Sequence, residues 1–129
     1  MTFGEPLLTG SNRPGVEPGR FWSALDRLVA SCEIVVDRPR GSAHPRYPDF
    51  VYPLDYGYLA DTTSPDGCGI DVWLGSLPER TVTAVICNVD LVKRDSEVKL
   101  LLGCTPEEAQ TILGVHNQDS QSALYIART

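Results

Sequence analysis

The sequence predicts a mainly β protein with a few helices, in which a mostly antiparallel sheet closes on itself. Stretches rich in β-branched and aliphatic residues are bounded by turn residues, as strands usually are, and they cover residues 33–37, 70–74, 81–92, 98–102 and 123–127. Only two segments carry helix signals. With 129 residues and 42% hydrophobic content, the chain is large enough to bury one core of its own.

The N-terminal region divides into an arm and a helix. Residues 1–20 are rich in glycine and proline and predict a flexible arm, which precedes a single domain over residues 21–129. In residues 21–30, Phe21, Leu25, Leu28 and Val29 recur at helical spacing, which predicts a short amphipathic helix.

The middle of the chain predicts strands separated by one long loop. Pro39 and Gly41 end the strand at 33–37, and residues 41–63 contain prolines and aromatics without a clean period. We therefore expect an ordered loop there, with a short extended piece around residues 50–52. The strand candidate at 81–92 is long enough to bend or bulge.

The C-terminal region predicts a capped helix and a final strand. Thr105 stands at the cap, Pro106 at the first helical position and Glu108 three residues after the cap, which is the pattern of a capping box. The helix should extend to about Leu113 and end at Gly114, ahead of the strand at 123–127.

Composition excludes several classes of function. The formal charge of −6 argues against a nucleic-acid or anionic-membrane surface, since both need broad positive fields. The four cysteines form no C-x-x-C pair, so we expect buried, reduced thiols rather than a zinc or redox site. No secretory signal or membrane span is visible, and we predict a cytoplasmic protein.

Carboxylates on either side of a glycine-rich turn are the first candidates for chemistry. Asp66 lies in the turn and Asp71 at the head of the next strand, so both side chains can face one cavity and bind Mg²⁺, which prefers oxygen ligands. A purely structural role for Asp66 is at least as probable from turn chemistry alone, because Asp-Gly is a common turn dipeptide.

A second acidic group follows the long strand candidate. Asp95, Glu97 and Lys99 alternate along the chain, so they either decorate a solvated hairpin tip or share one face of a strand and line a polar cavity. The sequence leaves both interpretations open.

Cations cluster around the Gly41-Ser42 turn. Arg40, His44 and Arg46 lie beside this turn, where guanidinium groups and backbone N–H donors suit phosphate oxygens. For most single arginines an exposed position without function is more common.

Two ordered motifs carry a resemblance. Tyr52-Pro53-x-x-Tyr56-Gly57-Tyr58, followed by Asp66-Gly67-x-x-x-Asp71-Val72, resembles the signature region of soluble family I inorganic pyrophosphatases. Residues 36–42 and Asp95-x-Glu97-x-Lys99 resemble the segments on either side of that signature, so the resemblance covers roughly residues 33–113.

The resemblance implies an OB-like antiparallel β-barrel that uses Mg²⁺ to hydrolyse inorganic pyrophosphate to two phosphates. By position, the implied metal ligands are Asp66, Asp71, Asp95 and Glu97. The implied phosphate contacts are Arg40, Tyr56 and Lys99, to which we add His44 and Arg46. Asp71 and Tyr56 are the predicted catalytic residues. The partner is a small phosphate substrate, and a homo-oligomer is compatible with the sequence.

The chain also departs from the family pattern. Cys68 and Gly69 stand where the family has an acid and a proline, and the acid is the usual base for the attacking water. A rival hypothesis is therefore a phosphate- or nucleotide-binding module that has lost turnover. A barrel that binds protein or oligonucleotide ranks last, because the basic, aromatic groove for single strands is missing.

Overall fold

The computed structural model describes residues 17–65 and 67–129, which form two helices and six strands. In chain order these are α1 (Pro18–Ala30), β1 (Ile34–Arg38), β2 (Asp55–Leu59), β3 (Ile70–Leu74), β4 (Val82–Asp90), β5 (Asp95–Leu102), α2 (Pro106–Val115) and β6 (Gln121–Ala127). The prediction of a mainly β protein with a few helices is confirmed.

The six strands form one mixed sheet in the order β1-β2-β3-β5-β4-β6. Neighbouring strands are antiparallel except for β3 and β5, which pair in parallel. The predicted closure into a barrel is not confirmed, because the pairing runs from β1 to β6 and no ladder in the described residues joins these two edges.

Both faces of the sheet bury apolar side chains. On β3, Val72 and Leu74 belong to one hydrophobic cluster while Trp73 belongs to another, as the alternation along a strand requires. The first cluster includes Trp22 and Val29 of α1, and the second includes Ile112 of α2. One helix therefore covers each face.

Helix α1 begins three residues before the predicted start. Pro18 occupies its first turn, and Trp22 is its buried aromatic residue, whereas Phe21 of the predicted apolar face is half exposed. The helix is held to the sheet by Asp26, which accepts from the Val82 N–H at 3.2 Å and pairs with Arg128 at 2.8 Å. Residues 1–16 of the predicted arm lie outside the described residues.

Strand β2 lies inside the segment that the sequence predicted as a loop. Gly57 makes the strand possible, because a Cβ at this position would lie 1.8 Å from the Val35 carbonyl oxygen of β1. The short extended piece around residue 51 is present as a single bridge between Ala43 and Val51.

The hairpin of β4 and β5 is longer than predicted on its second strand. Strand β5 begins at Asp95 rather than at residue 98, and β4 carries the expected irregularity between Val82 and Ala84. Asp90 closes the tip, since its Oδ1 accepts from the Val92 and Lys93 N–H groups and from the Ser120 hydroxyl.

The capping box of α2 is confirmed. The Thr105 hydroxyl accepts from the Glu108 N–H at 3.2 Å, and the Glu108 carboxylate accepts from the Thr105 N–H at 2.9 Å. The helix continues past Gly114 to Val115, with His116 as its C-cap. In the described part of the chain, no helix has the length and apolar character needed to cross a membrane.

Candidate functional site

A buried ammonium group forms the centre of the site. Lys99 Nζ donates to Asp71 Oδ2 at 2.8 Å, to Tyr56 Oη at 3.1 Å and to Glu97 Oε1 at 3.2 Å. Strand alternation brings these groups together, because all four side chains lie on the α2 face of β2, β3 and β5. Glu97 and Lys99 are both about 7% exposed.

The charge state of this group follows from burial and contacts. Burial alone would lower the pKa of Lys99, but Tyr56 and Asp71 more than offset it, so the net shift raises the pKa and Lys99 remains an ammonium. Burial raises the pKa of Tyr56, which therefore stays a neutral phenol at physiological pH.

The ammonium opens onto a cavity of about 500 Å³. The aromatic side chains of its wall come from β2, β3 and the 41–54 loop, and its polar side chains come from β4, β5 and the segment after α2. Its acidic, lysine and histidine lining residues are His44, Asp90, Lys93, Asp95, Glu97, Lys99, His116 and Asp119. Carboxylates thus outnumber lysines around the space.

A hydrogen-bonded chain of neutral side chains forms a second wall. The Trp73 indole donates to His116 Nε2 at 3.1 Å, His116 Nδ1 lies 3.1 Å from Gln121 Oε1, and Asn88 Nδ2 donates to the same Gln121 oxygen at 3.1 Å. Burial lowers the pKa of His116 to about 4, so this imidazole is neutral at physiological pH.

Four of the sequence-predicted site residues meet in the central group: Tyr56, Asp71, Glu97 and Lys99. Since Glu97 and Lys99 are buried within β5, the strand-face interpretation of this segment is correct and the solvated-tip interpretation is wrong for them. Tyr56, Glu97 and Lys99 line the cavity, whereas Asp71 does not. Asp95 lines the cavity and forms an ion pair with Lys93 at 3.8 Å.

The predicted cations take different positions. His44 lines the cavity, and its Nδ1 accepts from the Arg46 and Tyr47 N–H groups at 3.0 and 3.2 Å. Arg40 and Arg46 are exposed and do not line the cavity. The Arg40 N–H donates to Asp55 Oδ1 at 2.8 Å, which fixes its backbone. Their contact with phosphate stays a prediction.

The glycine-rich turn is described only in part. Asp66, a predicted metal ligand, lies outside the described residues. Cys68 is exposed, so the expectation of a buried thiol is wrong there, while Cys104 is buried as expected and its pKa is raised to about 12 by burial. In the described ranges, no group of three or more His, Cys, Asp or Glu residues is arranged to hold a metal ion.

Sequence reasoning missed Asn88, His116 and Gln121 of the second wall, and it also missed Asp90, which lines the same cavity. Asn88 and Asp90 share a strand face with the buried Ile86, and this alternation on β4 was the signal that could have identified them. His116 and Gln121 carried no such signal, because they reach the cavity only through the packing of α2 and β6.

Neither a scan against protein-family models nor searches of curated proteins and of solved structures find a match for this chain. Its function must therefore be argued from the site itself.

Proposed function

We propose that this chain binds a phosphoanhydride in its cavity and hydrolyses inorganic pyrophosphate to two phosphates with the help of Mg²⁺. The observation that supports the proposal is the convergence of Tyr56, Asp71 and Glu97 on the ammonium of Lys99, which lines the cavity with Tyr56 and Glu97. These residues come from the segments that resemble the pyrophosphatase signature and its downstream acidic segment.

The donor set around the ammonium suits a hard cation. Asp71 and Glu97 both have an oxygen within 3.2 Å of one cation, Lys99 Nζ, and carboxylate oxygens are the ligands that Mg²⁺ prefers. These two residues would hold Mg²⁺, with Asp66 and Asp95 as further proposed ligands. When bound, the metal would neutralise phosphate charge and acidify a water molecule.

The acidic lining gives a reason for a metal requirement. Asp90, Asp95 and Asp119 lie around the cavity, whereas Lys93 and Lys99 are its lysines. A pyrophosphate anion entering without a cation meets net repulsion from these carboxylates. We therefore expect pyrophosphate to bind as its metal complex.

The chain's own residues would then orient and activate the reactants. Lys99 is charged and attracts phosphate oxygens, and its ammonium would donate to one of them in exchange for one of its three present partners. The neutral Tyr56 phenol can donate a further hydrogen bond. Asp71 would accept the proton of the attacking water. The new P–O bond forms as the bridging P–O bond breaks, and the leaving phosphate carries away the bridging oxygen and its electron pair.

Several expectations remain part of the same proposal. An OB-like closure of the sheet, a cytoplasmic location and the absence of nucleic-acid and membrane partners are predictions from the sequence, and assembly into a homo-oligomer is compatible with it. The open pairing order of the six strands means that any closure would have to use loops rather than a β1–β6 ladder.

A binding module without turnover is the second candidate, and two observations favour it. Asp71 and Glu97 already form ion pairs with Lys99, and the described residues contain no three-ligand metal group. Cys68, which stands where the family has its usual base, is an exposed thiol and a poor ligand for Mg²⁺.

Phosphate release from inorganic pyrophosphate, with Mg²⁺, with Mn²⁺ and without metal, separates the two candidates. We expect Mg²⁺-dependent release by the wild type, its loss in Asp71→Asn and its retention in Asp49→Asn, which changes an exposed carboxylate that does not line the cavity. Pyrophosphate binding is measured in parallel by calorimetry.

Tight binding without release by the wild type, together with release by Cys68→Asp, would instead identify the binding module. If the wild type neither binds nor hydrolyses pyrophosphate under any of these conditions, both candidates are wrong.

A further inference from the structure

The cavity is larger than an inorganic anion needs. Its volume of about 500 Å³ falls within the range of about 300–1,000 Å³ that is typical of sites for larger organic ligands. The Lys99 group occupies one part of this space, and aromatic and amide side chains line the rest together with Asp90, Lys93, Asp95 and Asp119. The lining therefore combines charged groups with a neutral part formed by the aromatic and amide side chains.

The hydrogen bonds of the second wall have a fixed direction. The Trp73 indole N–H can only donate, so His116 Nε2 must accept and the proton of the neutral ring must be on Nδ1. His116 Nδ1–H then donates to Gln121 Oε1, and the Asn88 amide nitrogen donates to that same oxygen. Rotating either amide by 180° would place two acceptors or two donors against each other.

With the hydrogen bonds fixed in this direction, one acceptor of the second wall has no hydrogen-bond donor in the described part of the chain. Asn88 Oδ1 is buried and has no hydrogen-bond partner among the described residues, although Asn88 lines the cavity and is only 6% exposed. A buried acceptor without a partner costs about 1–3 kcal/mol. Because the oxygen itself is buried, a ligand N–H group reaches it only when the Asn88 side chain shifts towards the cavity, and the hydrogen bond so formed would remove that cost.

Aromatic side chains form the rim of the neutral part. Tyr47 is 62% exposed and lines the cavity together with His44 and Phe50, and the rings of His44 and Tyr47 lie 5.0 Å apart. Burial, together with the neighbouring Arg38 and Arg46, lowers the pKa of His44, so its ring is neutral at physiological pH. Such a rim suits the face of a planar ring.

From these features we propose that the ligand of the cavity is a nucleoside polyphosphate rather than a bare anion. Its phosphates lie at Lys99, and its base lies between the aromatic rim and Asn88, whose free oxygen accepts a base N–H. The phosphate half of this assignment rests on the proposed function, whereas the base half rests on Asn88 and the rim.

The spacing of the two contacts fits one small molecule. Asn88 pairs with Glu97 across β4 and β5, and Lys99 is two residues further along β5. Diagonal neighbours of this kind have side chains about 7–8 Å apart at their roots, so a single nucleotide can reach both.

Calorimetric titrations with Mg²⁺ test the assignment on the intact chain. The probes are ATP, GTP, CTP, UTP, inorganic pyrophosphate and ribose 5′-triphosphate, which has the sugar and phosphates but no base. We expect at least one nucleotide to bind about tenfold or more tightly than ribose 5′-triphosphate, because the base supplies a partner to a buried acceptor. This comparison needs no variant.

Asn88→Leu provides the second arm. It should weaken that nucleotide about tenfold and leave pyrophosphate binding unchanged. Its melting temperature should change little, because the loss of the Asn88 Nδ2 hydrogen bond to Gln121 is offset by removal of a buried acceptor that has no partner, and Gln121 Oε1 keeps its contact with His116 Nδ1. Gln110→Leu, an exposed amide on α2 outside the cavity, is the control and should change neither affinity.

The outcomes separate this inference from the proposed function. If pyrophosphate binds and no nucleotide binds more tightly than ribose 5′-triphosphate, the inference is wrong and the proposed function stands. Equal weakening of pyrophosphate and nucleotide by Asn88→Leu also overturns it. If no phosphate compound binds, both proposals fail.

Discussion

Lys99 Nζ and Asp71 Oδ2 lie 2.8 Å apart and join two strands, β5 and β3, that pair in parallel. Their side chains are only 9% and 18% exposed, so water screens this ion pair much less than a surface pair. Because Glu97 shares the same ammonium, one cation pairs with two carboxylates that are largely shielded from water.

Replacing this cation should destabilise the protein strongly. We expect Lys99→Met to lower the free energy of unfolding by about 3–5 kcal/mol, because it leaves buried carboxylates without their partner. Urea unfolding at pH 7 measures the loss. Lys93→Met is the control, since its exposed ammonium lies 3.8 Å from Asp95 and should contribute at most about 1 kcal/mol. Equal losses in the two variants would contradict the argument.

Acid should weaken the fold through His116. Its folded pKa of about 4 lies below the ordinary value of 6.5, so only the unfolded chain takes up this proton between those pH values. Stability should therefore fall as the pH drops from 6.5 to 4, by up to about 3 kcal/mol from this group. The difference between wild type and His116→Gln in urea unfolding isolates this contribution.

A direct check on His116 is available by NMR. The chain has two histidines, so the imidazole resonances of His44 and His116 can be assigned by substitution and followed during a pH titration. A His116 signal that titrates near its ordinary value would refute the predicted pH dependence.

Asp26 should stabilise the attachment of α1 at neutral pH. Its carboxylate accepts from the Arg128 guanidinium at 3.0 Å, and this hydrogen bond is the main reason that its pKa is lowered. The contribution is fully present above the ordinary pKa of 3.8 and disappears as the pH falls through the lower folded value. With a third of the side chain exposed, Asp26→Asn should cost about 1 kcal/mol at pH 7 in urea unfolding.

The control for Asp26 is Asp37→Asn. Asp37 and Arg38 form an exposed ion pair at 3.8 Å, which should change stability by only a few tenths of a kcal/mol. If Asp37→Asn lost as much stability as Asp26→Asn, the shorter contact between Asp26 and Arg128 would not explain the contribution of Asp26.

Gly57 should not tolerate even one added methyl group. A Cβ there would lie 1.8 Å from the Val35 carbonyl oxygen, so Gly57→Ala must separate β1 from β2 and shift the adjacent Tyr56. We expect a loss of more than about 4 kcal/mol, or no folded protein, in thermal unfolding. Gly114→Ala is the matched control. A Cβ at this position in α2 would meet nothing within 4 Å, so the substitution should stabilise the helix by about 0.5–1 kcal/mol.

Local chemistry made part of the fold predictable. The capping residues Thr105 and Glu108 act within one turn, and the apolar run of β3 buries both of its faces, so each element could be identified from its own residues. Strand β2 could not, because its Gly57 is unfavourable in an isolated strand and is needed only where β1 crosses closely.

The pairing of the strands and the formation of the second wall both depend on contacts between distant segments. The residues of β3 do not specify that β5 pairs with it in parallel. The expected closure of the sheet likewise depended on which strands pair at its edges, and the residues of the strands do not specify this either. The same is true of Trp73 and His116, which are 43 positions apart and meet only after α2 has packed on the sheet.

The parallel β3–β5 pairing also divides the folding process into two parts. Strands β1, β2 and β3 can form a local meander and β4 and β5 a hairpin, whereas Asp71 and Lys99 are 28 residues apart and meet only when these two units dock. Since non-local pairing is slow to form, docking should limit the rate of folding, and neither unit alone contains all the residues of the Lys99 group. A ligand that contacts both units would act as a clamp on the docked state and slow its unfolding.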